Sequence, residues 1–166
     1  MAESAPEPVK SIQTPVRLEY LYSAGQATTR FLRGLAQGKL LGQRCPVDGK
    51  VYVASRGACP THGVPTEGTV ELSDLGTVTT FCIVRIPSEN LSVQPPFIAA
   101  HILLDGADTT FFHVVGECPP EDARMGMRVR ASWLPREEWG PTLRNIRWFE
   151  PSGEPDAPYE RYREHL

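Results

Sequence analysis

Two short segments of this chain echo each other. Cys45-Pro46-Val47-Asp48-Gly49 is followed by Cys59-Pro60-Thr61-His62-Gly63, each a metal-ligand type, two residues, a second ligand type and a glycine. Two intervening residues let a tight turn aim both side chains at one ion, and the glycine relieves the steric demand of that turn. Paired turns of this shape are the knuckles of a zinc ribbon. The ten residues between Asp48 and Cys59 leave room for a short hairpin carrying Val51, Tyr52 and Val53. The candidate metal ligands are therefore Cys45, Asp48, Cys59 and His62, all residue types that bind zinc. A carboxylate adds an oxygen ligand and the set has only two thiolates, so the site is expected to hold less negative charge and to be more labile than a four-cysteine ribbon. The alternative is a ribbon that keeps its fold on the hydrophobic hairpin alone, with the metal lost. A catalytic zinc is disfavoured, because the knuckles look closed and no general base lies nearby in the sequence.

Beyond the knuckles the chain reads as mostly β. Runs with strand character cover residues 69–72, 77–86, 97–104, 110–115, 128–134 and 143–149, punctuated by Asp74-Leu75-Gly76, Asp105-Gly106, Met125-Gly126 and Trp139-Gly140-Pro141. The spacing suits a compact antiparallel barrel. No helical stretch supplies a crossover between strand pairs, which argues against a Rossmann-like sheet. One helix precedes the knuckles: Thr28 or Thr29 is expected to cap it, Phe31, Leu32, Leu35 and Ala36 recur at helical spacing, and Gly38 is a suitable stop. Its apolar face either packs on its own ribbon or docks on a partner. Residues 16–22 alternate apolar and charged positions before Ser23-Ala24-Gly25 turns the chain. Both ends are proline-rich, and the last segment is expected to lie over the surface or on a partner.

Charge and composition narrow the function classes. A formal net charge of -3 gives no general attraction for polyanions, so nucleic acid is not the default partner. The start of the chain has neither a basic n-region nor an apolar h-region, and nowhere do 18 apolar residues run together, so a soluble, cytoplasmic protein without membrane contact is expected. Asn90-Leu91-Ser92 is then a chance sequon, and the four cysteines are thiols or metal ligands rather than disulfides. Cys82, inside a strand, reads as a small buried hydrophobe, and Cys118 opens a turn.

Other chemistry is sparse. His101 and His113 fall on neighbouring expected strands with Asp105 close behind, but no nucleophile, phosphate loop or second carboxylate completes a site, so a structural role is favoured over a hydrolase. Arg124, Arg128, Arg130, Arg136, Arg144 and Arg147 would suit single-stranded nucleic acid if they shared a face. Glu137, Glu138 and Glu150 among them favour a solvated mixed-charge surface. Trp133, Trp139 and Trp148 read as core and edge packing.

Taken in order, Phe31-Leu32-Arg33-Gly34-Leu35, the run from Gly38 to Cys45, the paired knuckles, Gly76-Thr77-Val78, Pro95-Pro96-Phe97 and Gly126-Met127-Arg128-Val129 resemble the DUF35 family of zinc-ribbon/OB-fold proteins over about residues 20–150. The family often has four cysteines, where this chain has Asp48 and His62 in the second and fourth places. The resemblance implies an N-terminal tail (1–25), a helix with a rubredoxin-like zinc ribbon (26–66), a five-stranded OB-fold barrel (67–150) and a C-terminal tail (151–166). It further implies a structural zinc and a non-catalytic accessory subunit of a thiolase-like acyl-CoA enzyme, such as one that shortens steroid side chains by thiolysis or retro-aldol cleavage. In such a heteromer the partner holds the catalytic residues, and this subunit helps shape the acyl-CoA channel with or without touching CoA itself. The docking surface would come from the helix, the tails and the loop 87–96. The competing reading is a single-stranded nucleic-acid-binding module.

Overall fold

The computed structural model describes residues 16–87 and 93–166. The proline-rich start, the sequon and the middle of the loop 87–96 lie outside the described residues.

Helix α1 spans Gly25–Leu35 and buries Phe31, Gly34 and Leu35. It begins ahead of the expected threonine caps. Thr29 Oγ1 donates instead to the carbonyl of Gly25, 2.5 Å away, one turn back. A hydroxyl satisfied inside a helix in this way is no longer a cap. The helix closes through Gly38 N–H to Leu35 O at 3.0 Å and Lys39 N–H to Gly34 O at 2.9 Å. Its apolar face packs on its own chain, with the Phe31 ring edge-on to Phe111 at 6.4 Å.

Three strands, β1 (Leu40–Arg44), β2 (Val51–Val53) and β3 (Glu67–Leu72), form a sheet in the order β2-β1-β3. The pattern that suggested a barrel strand at 69–72 thus belongs to the ribbon's sheet. It pairs Leu72 with Leu40, and both leucines are buried. Burial of Leu40, Val51, Val53 and Leu72 against α1 and the barrel makes one continuous hydrophobic core. The outer edge of β2 is covered as well: Val51 N–H donates to Asp108 Oδ2 at 2.8 Å, Asp108 N–H returns to Val51 O at 2.8 Å, and Val53 N–H reaches Thr109 Oγ1 at 3.0 Å. These bonds satisfy a strand edge and bolt the ribbon to the barrel.

The barrel is closed in the order β4-β5-β6-β8-β7, with β4 at Leu75–Val84, β5 at Phe97–Leu104, β6 at Thr110–Val115, β7 at Arg128–Trp133 and β8 at Ile146–Pro151. It is a five-strand OB-fold barrel. Its neighbours run antiparallel except for β6 and β8, which meet in parallel at Val115 and Phe149. Inward side chains of alternate residues, among them Ile98, Ala100, Ile102, Leu104, Phe111, Val129 and Phe149, fill the interior. Cys82 departs from expectation: it is exposed, on a stretch of β4 whose outer side faces a groove rather than the core.

Strand β8 starts later than the apolar run suggests, because Leu143–Asn145 is a 3₁₀ turn organised by Asn145. That side chain is wholly buried; its amide donates to Leu35 O at 2.8 Å and Gly140 O at 2.7 Å and its oxygen accepts from Gly140 N–H at 3.1 Å. It thereby satisfies a carbonyl at the end of α1 from the barrel side. Asn145→Ala is expected to lower stability by about 2–3 kcal/mol, since it removes three hydrogen bonds of a wholly buried side chain and leaves the Gly140 N–H without its partner. Urea unfolding would check this, and a loss below about 0.5 kcal/mol would contradict the bolt.

The C-terminal segment folds back over its own barrel. Arg124 pairs with Asp156 at 2.6 Å, Ala157 N–H donates to Gly126 O at 2.8 Å, and Tyr162 is buried.

Candidate metal centre

The two knuckles have the same backbone. Cys45 N–H donates to Lys50 O at 2.8 Å and Gly49 N–H to Cys45 O at 3.0 Å; Cys59 N–H donates to Val64 O at 2.8 Å and Gly63 N–H to Cys59 O at 2.9 Å. Gly49 (φ +77°) and Gly63 (φ +67°) occupy the left-handed position that ends each turn, where a side chain would be strained. The repeat seen in the sequence is therefore a repeat of conformation.

The turns bring Cys45 Sγ, Cys59 Sγ and a ring nitrogen of His62 within 4.8 Å of one another. His62 Nδ1 lies 3.5 Å from Cys45 Sγ and 3.4 Å from Cys59 Sγ. A tetrahedral ion with bonds of about 2.3 Å to sulfur and about 2.1 Å to nitrogen would separate those donors by about 3.6 Å, so the spacing fits a metal. Asp48 stands beside the trio. Its Oδ2 is 3.8 Å from His62 Nδ1, while its Oδ1 accepts the Lys50 N–H at 3.1 Å. Both cysteines are buried, with Tyr52 and Val64 packed around them.

The thiols are electrostatically unlike. Burial pushes Cys45 up, against hydrogen bonds from the backbone of Asp48 and Val47. Burial also acts upward on Cys59, but hydrogen bonds from Tyr52, from His62 and from Cys45 outweigh it and bring this thiol to about 6. The Lys50 N–H holds Asp48 below the usual carboxylate range. A thiolate is the metal-binding form of cysteine, so Cys59 is prepared to ligate. Sequence reasoning passed over Tyr52 as a site residue and treated it as hairpin filler. Its hydroxyl is 3.4 Å from Cys59 Sγ, and a buried aromatic with a polar tip next to a ligand pair was the signal available.

The other candidates do not converge. Ala100 pairs with His113 and His101 with Phe112, so the two histidines point to opposite faces of the sheet. His101 is exposed beside Thr110 Oγ1 at 3.1 Å. Asp105 serves neither histidine and pairs with Arg128 at 2.6 Å. Arg124 and Arg128 are committed to the C-terminal segment and Asp105, and Arg147 lies over the Trp148 ring at 4.1 Å. Trp133 and Trp139 pack together at 5.5 Å, and Trp139 Nε1 donates to Leu134 O at 2.7 Å. A groove of about 1090 Å³ runs along the barrel between β4, β5, β6 and β8, lined by Cys82, Phe97, Phe112, Arg144 and Trp148 among others.

His113 stacks on Phe111 at 5.9 Å and meets Phe149 edge-on at 5.7 Å. Burial drives its protonation downward, only partly opposed by the Val114 carbonyl. The unfolded chain then takes up the proton first as pH falls. The contribution of His113 to stability is expected to be flat above about pH 6.5 and to decline below it, by at most about 1.4 kcal/mol per pH unit, until the folded histidine also protonates. His113→Phe should flatten that limb in denaturant titrations between pH 7 and 5; an unchanged slope would exclude His113 as its source.

Comparison with known proteins fits this architecture. Residues 69–134 match the family described as ChsH2, C-terminal OB-fold domain. A "DUF35 domain-containing scaffold protein" of Methanocaldococcus jannaschii is 36% identical over 93 residues, covering 55% of this chain, and this chain spans 65% of that relative's length. Among solved structures, "Ltp2-ChsH2(DUF35) aldolase" superposes with a TM-score of 0.60 at 20% identity, covering 77% of this chain and 96% of that one. A Sulfolobus solfataricus protein of unknown function from the DUF35 family gives 0.57 at 20% identity, over 77% of this chain and 87% of that one. The knuckle geometry, the barrel order and these likenesses agree: the chain is similar to DUF35 proteins and shares their ribbon-and-barrel fold, over 65% of the length of the curated relative it matches.

Proposed function

We propose that this chain is a non-catalytic accessory subunit that docks onto a thiolase-like acyl-CoA enzyme in the cytoplasm. The observation that carries the reading is the segment ahead of α1. Val16, Leu18, Tyr20, Leu21 and Tyr22 are 71–102% exposed, five large apolar side chains in a seven-residue segment interrupted by Arg17 and Glu19, a density that soluble surfaces rarely leave bare. The scaffold name of the archaeal relative and the aldolase complex among the structural likenesses support the same role. In this reading the partner carries out the thiolysis or retro-aldol step on an acyl-CoA, a steroid side chain being one candidate. Helix, ribbon and barrel act as a rigid platform that stabilises the partner and borders its acyl-CoA channel.

The ribbon's part is structural. Cys45, Asp48, Cys59 and His62 hold a zinc ion that fixes the two knuckles, and the unit of helix and ribbon, which takes in β3 (Glu67–Leu72), is distinct in role from the barrel that follows. When bound, the ion would crosslink the two turns, whose cysteines already pack with Tyr52 and Val64. None of the four cysteines forms a disulfide, which suits a reducing compartment.

Co-expression of the full chain with a thiolase-like acyl-CoA enzyme of its own host should give one stable complex on size exclusion. Leu18→Asp with Leu21→Asp should reduce its recovery at least tenfold without changing the melting of the free chain. Consistent separation of the unaltered proteins would sink the proposal. A second reading, single-stranded nucleic acid in the barrel groove, draws on Phe112, Arg144 and Trp148 there. It predicts salt-sensitive retardation of oligonucleotides, and Arg147 already covers one face of Trp148.

A further inference from the structure

Strand β2 separates its side chains by pleat. Val51 and Val53 enter the core shared with the barrel, and Tyr52, opposite Gln43, points to the other side of the sheet. There it is 4% exposed and packs with Cys45, Cys59 and Val64 rather than with the main core. A phenolic hydroxyl buried to this degree needs a partner, and it meets Cys59 Sγ at 3.4 Å, with the Thr61 side chain also close by. The two sulfurs are served differently. Cys45 Sγ accepts the Val47 N–H at 3.4 Å from its own knuckle, whereas Cys59 Sγ receives a side chain from the hairpin between the knuckles.

We propose that Tyr52 is a positioning residue of the metal centre: its hydroxyl donates to the Cys59 thiolate and holds that ligand in the coordination shell. The inference rests on the metal reading of the knuckles given above. A metal-bound thiolate has no proton to give, so the phenol is the donor and the sulfur the acceptor. Donation draws charge from the sulfur and fixes the direction of its lone pairs, as partners outside the ligand shell commonly do. In a ligand set with only two thiolates, loss of either bond to the ion is a large fraction of the whole. A purely space-filling Tyr52 makes a different prediction, because phenylalanine fills the same volume.

The test uses the full chain loaded with cobalt(II) in place of zinc. Tyr52→Phe is expected to keep one equivalent of cobalt, to shift the thiolate-to-cobalt charge-transfer band, and to release the ion to a chelator about 10-fold faster than the unaltered protein. Equal bands and equal release rates, with cobalt bound in both, would overturn the inference while leaving the metal reading intact. Failure of the unaltered protein to bind cobalt would overturn the metal reading and the inference with it. Should Tyr52→Phe not fold, the unaltered protein loaded with cadmium-113 gives the answer. A Tyr52 hydroxyl proton in slow exchange with water and coupled to the metal through Cys59 supports the bond, and a fast-exchanging uncoupled hydroxyl contradicts it.

Discussion

Arg128→Ala is expected to destabilise the chain by about 3–5 kcal/mol, the largest effect of any single charge removed from the barrel. Arg128 lies in β7 and is only 6% exposed. Its guanidinium reaches Asp105 through two bonds, at 2.9 and 2.6 Å, and also donates to Thr77 Oγ1 and to Glu154 Oε2, each at 3.0 Å. These partners come from the β5–β6 turn, from β4 and from the C-terminal segment, so one side chain ties three separate parts of the chain. Hydrogen bonding to Asp105 first, then to Glu154, raises the guanidinium's proton affinity in spite of burial. Alanine would leave the buried Thr77 hydroxyl without its partner and Asp105 with only the longer contact to Arg161 at 3.5 Å. Lysine keeps the charge but not the two-pronged geometry and should recover less than half of the loss. Urea unfolding with an unchanged m-value is the measurement, and a loss under about 1 kcal/mol would show that the network is solvated. The C-terminal segment should also loosen, because Glu154 loses its anchor.

Cys59→Ser is expected to reduce bound zinc from one equivalent to below about a tenth, by elemental analysis of protein purified without added metal. It removes the candidate ligand whose thiol lies at about 6 and would unlink the second knuckle from the first. Ribbon amides between residues 45 and 64 should then exchange at least 10-fold faster, while those of β4 to β8 change little. The sheet β2-β1-β3 shares its core with the barrel, so the loss stays local rather than unfolding the chain. Chelation of the unaltered protein should reproduce the pattern. Uniform exchange across ribbon and barrel after zinc removal would contradict a metal role confined to the knuckles.

Much of this molecule was legible in its residues, for identifiable reasons. The knuckles were readable because ligand spacing and the closing glycines are local requirements that leave a local signature. Strands β5 and β6 stood out with their limits, since β-branched and aromatic alternation ended at Asp105-Gly106. Strand β1 was not picked out: Leu40-Leu41-Gly42-Gln43-Arg44 has no alternation of its own and becomes a strand through its two neighbours. The join of β3 to the ribbon had the same origin, because pairing partners depend on tertiary packing. The pairing of Arg128 with Asp105 spans 23 residues and was hidden in a row of arginines that looked equivalent. The parallel contact of β6 with β8 and the exposed side of Cys82 follow from barrel closure, which no window of sequence contains.

The proposed docking role is tested most directly by hydrogen–deuterium exchange on residues 16–22, in the free chain and in a co-expressed complex with the proposed thiolase-like partner. Backbone amides there should exchange freely when the chain is alone and slow at least 10-fold in the complex, with the outer barrel surface far from α1 unaffected. A stable complex in which these amides exchange as fast as in the free chain would contradict the account.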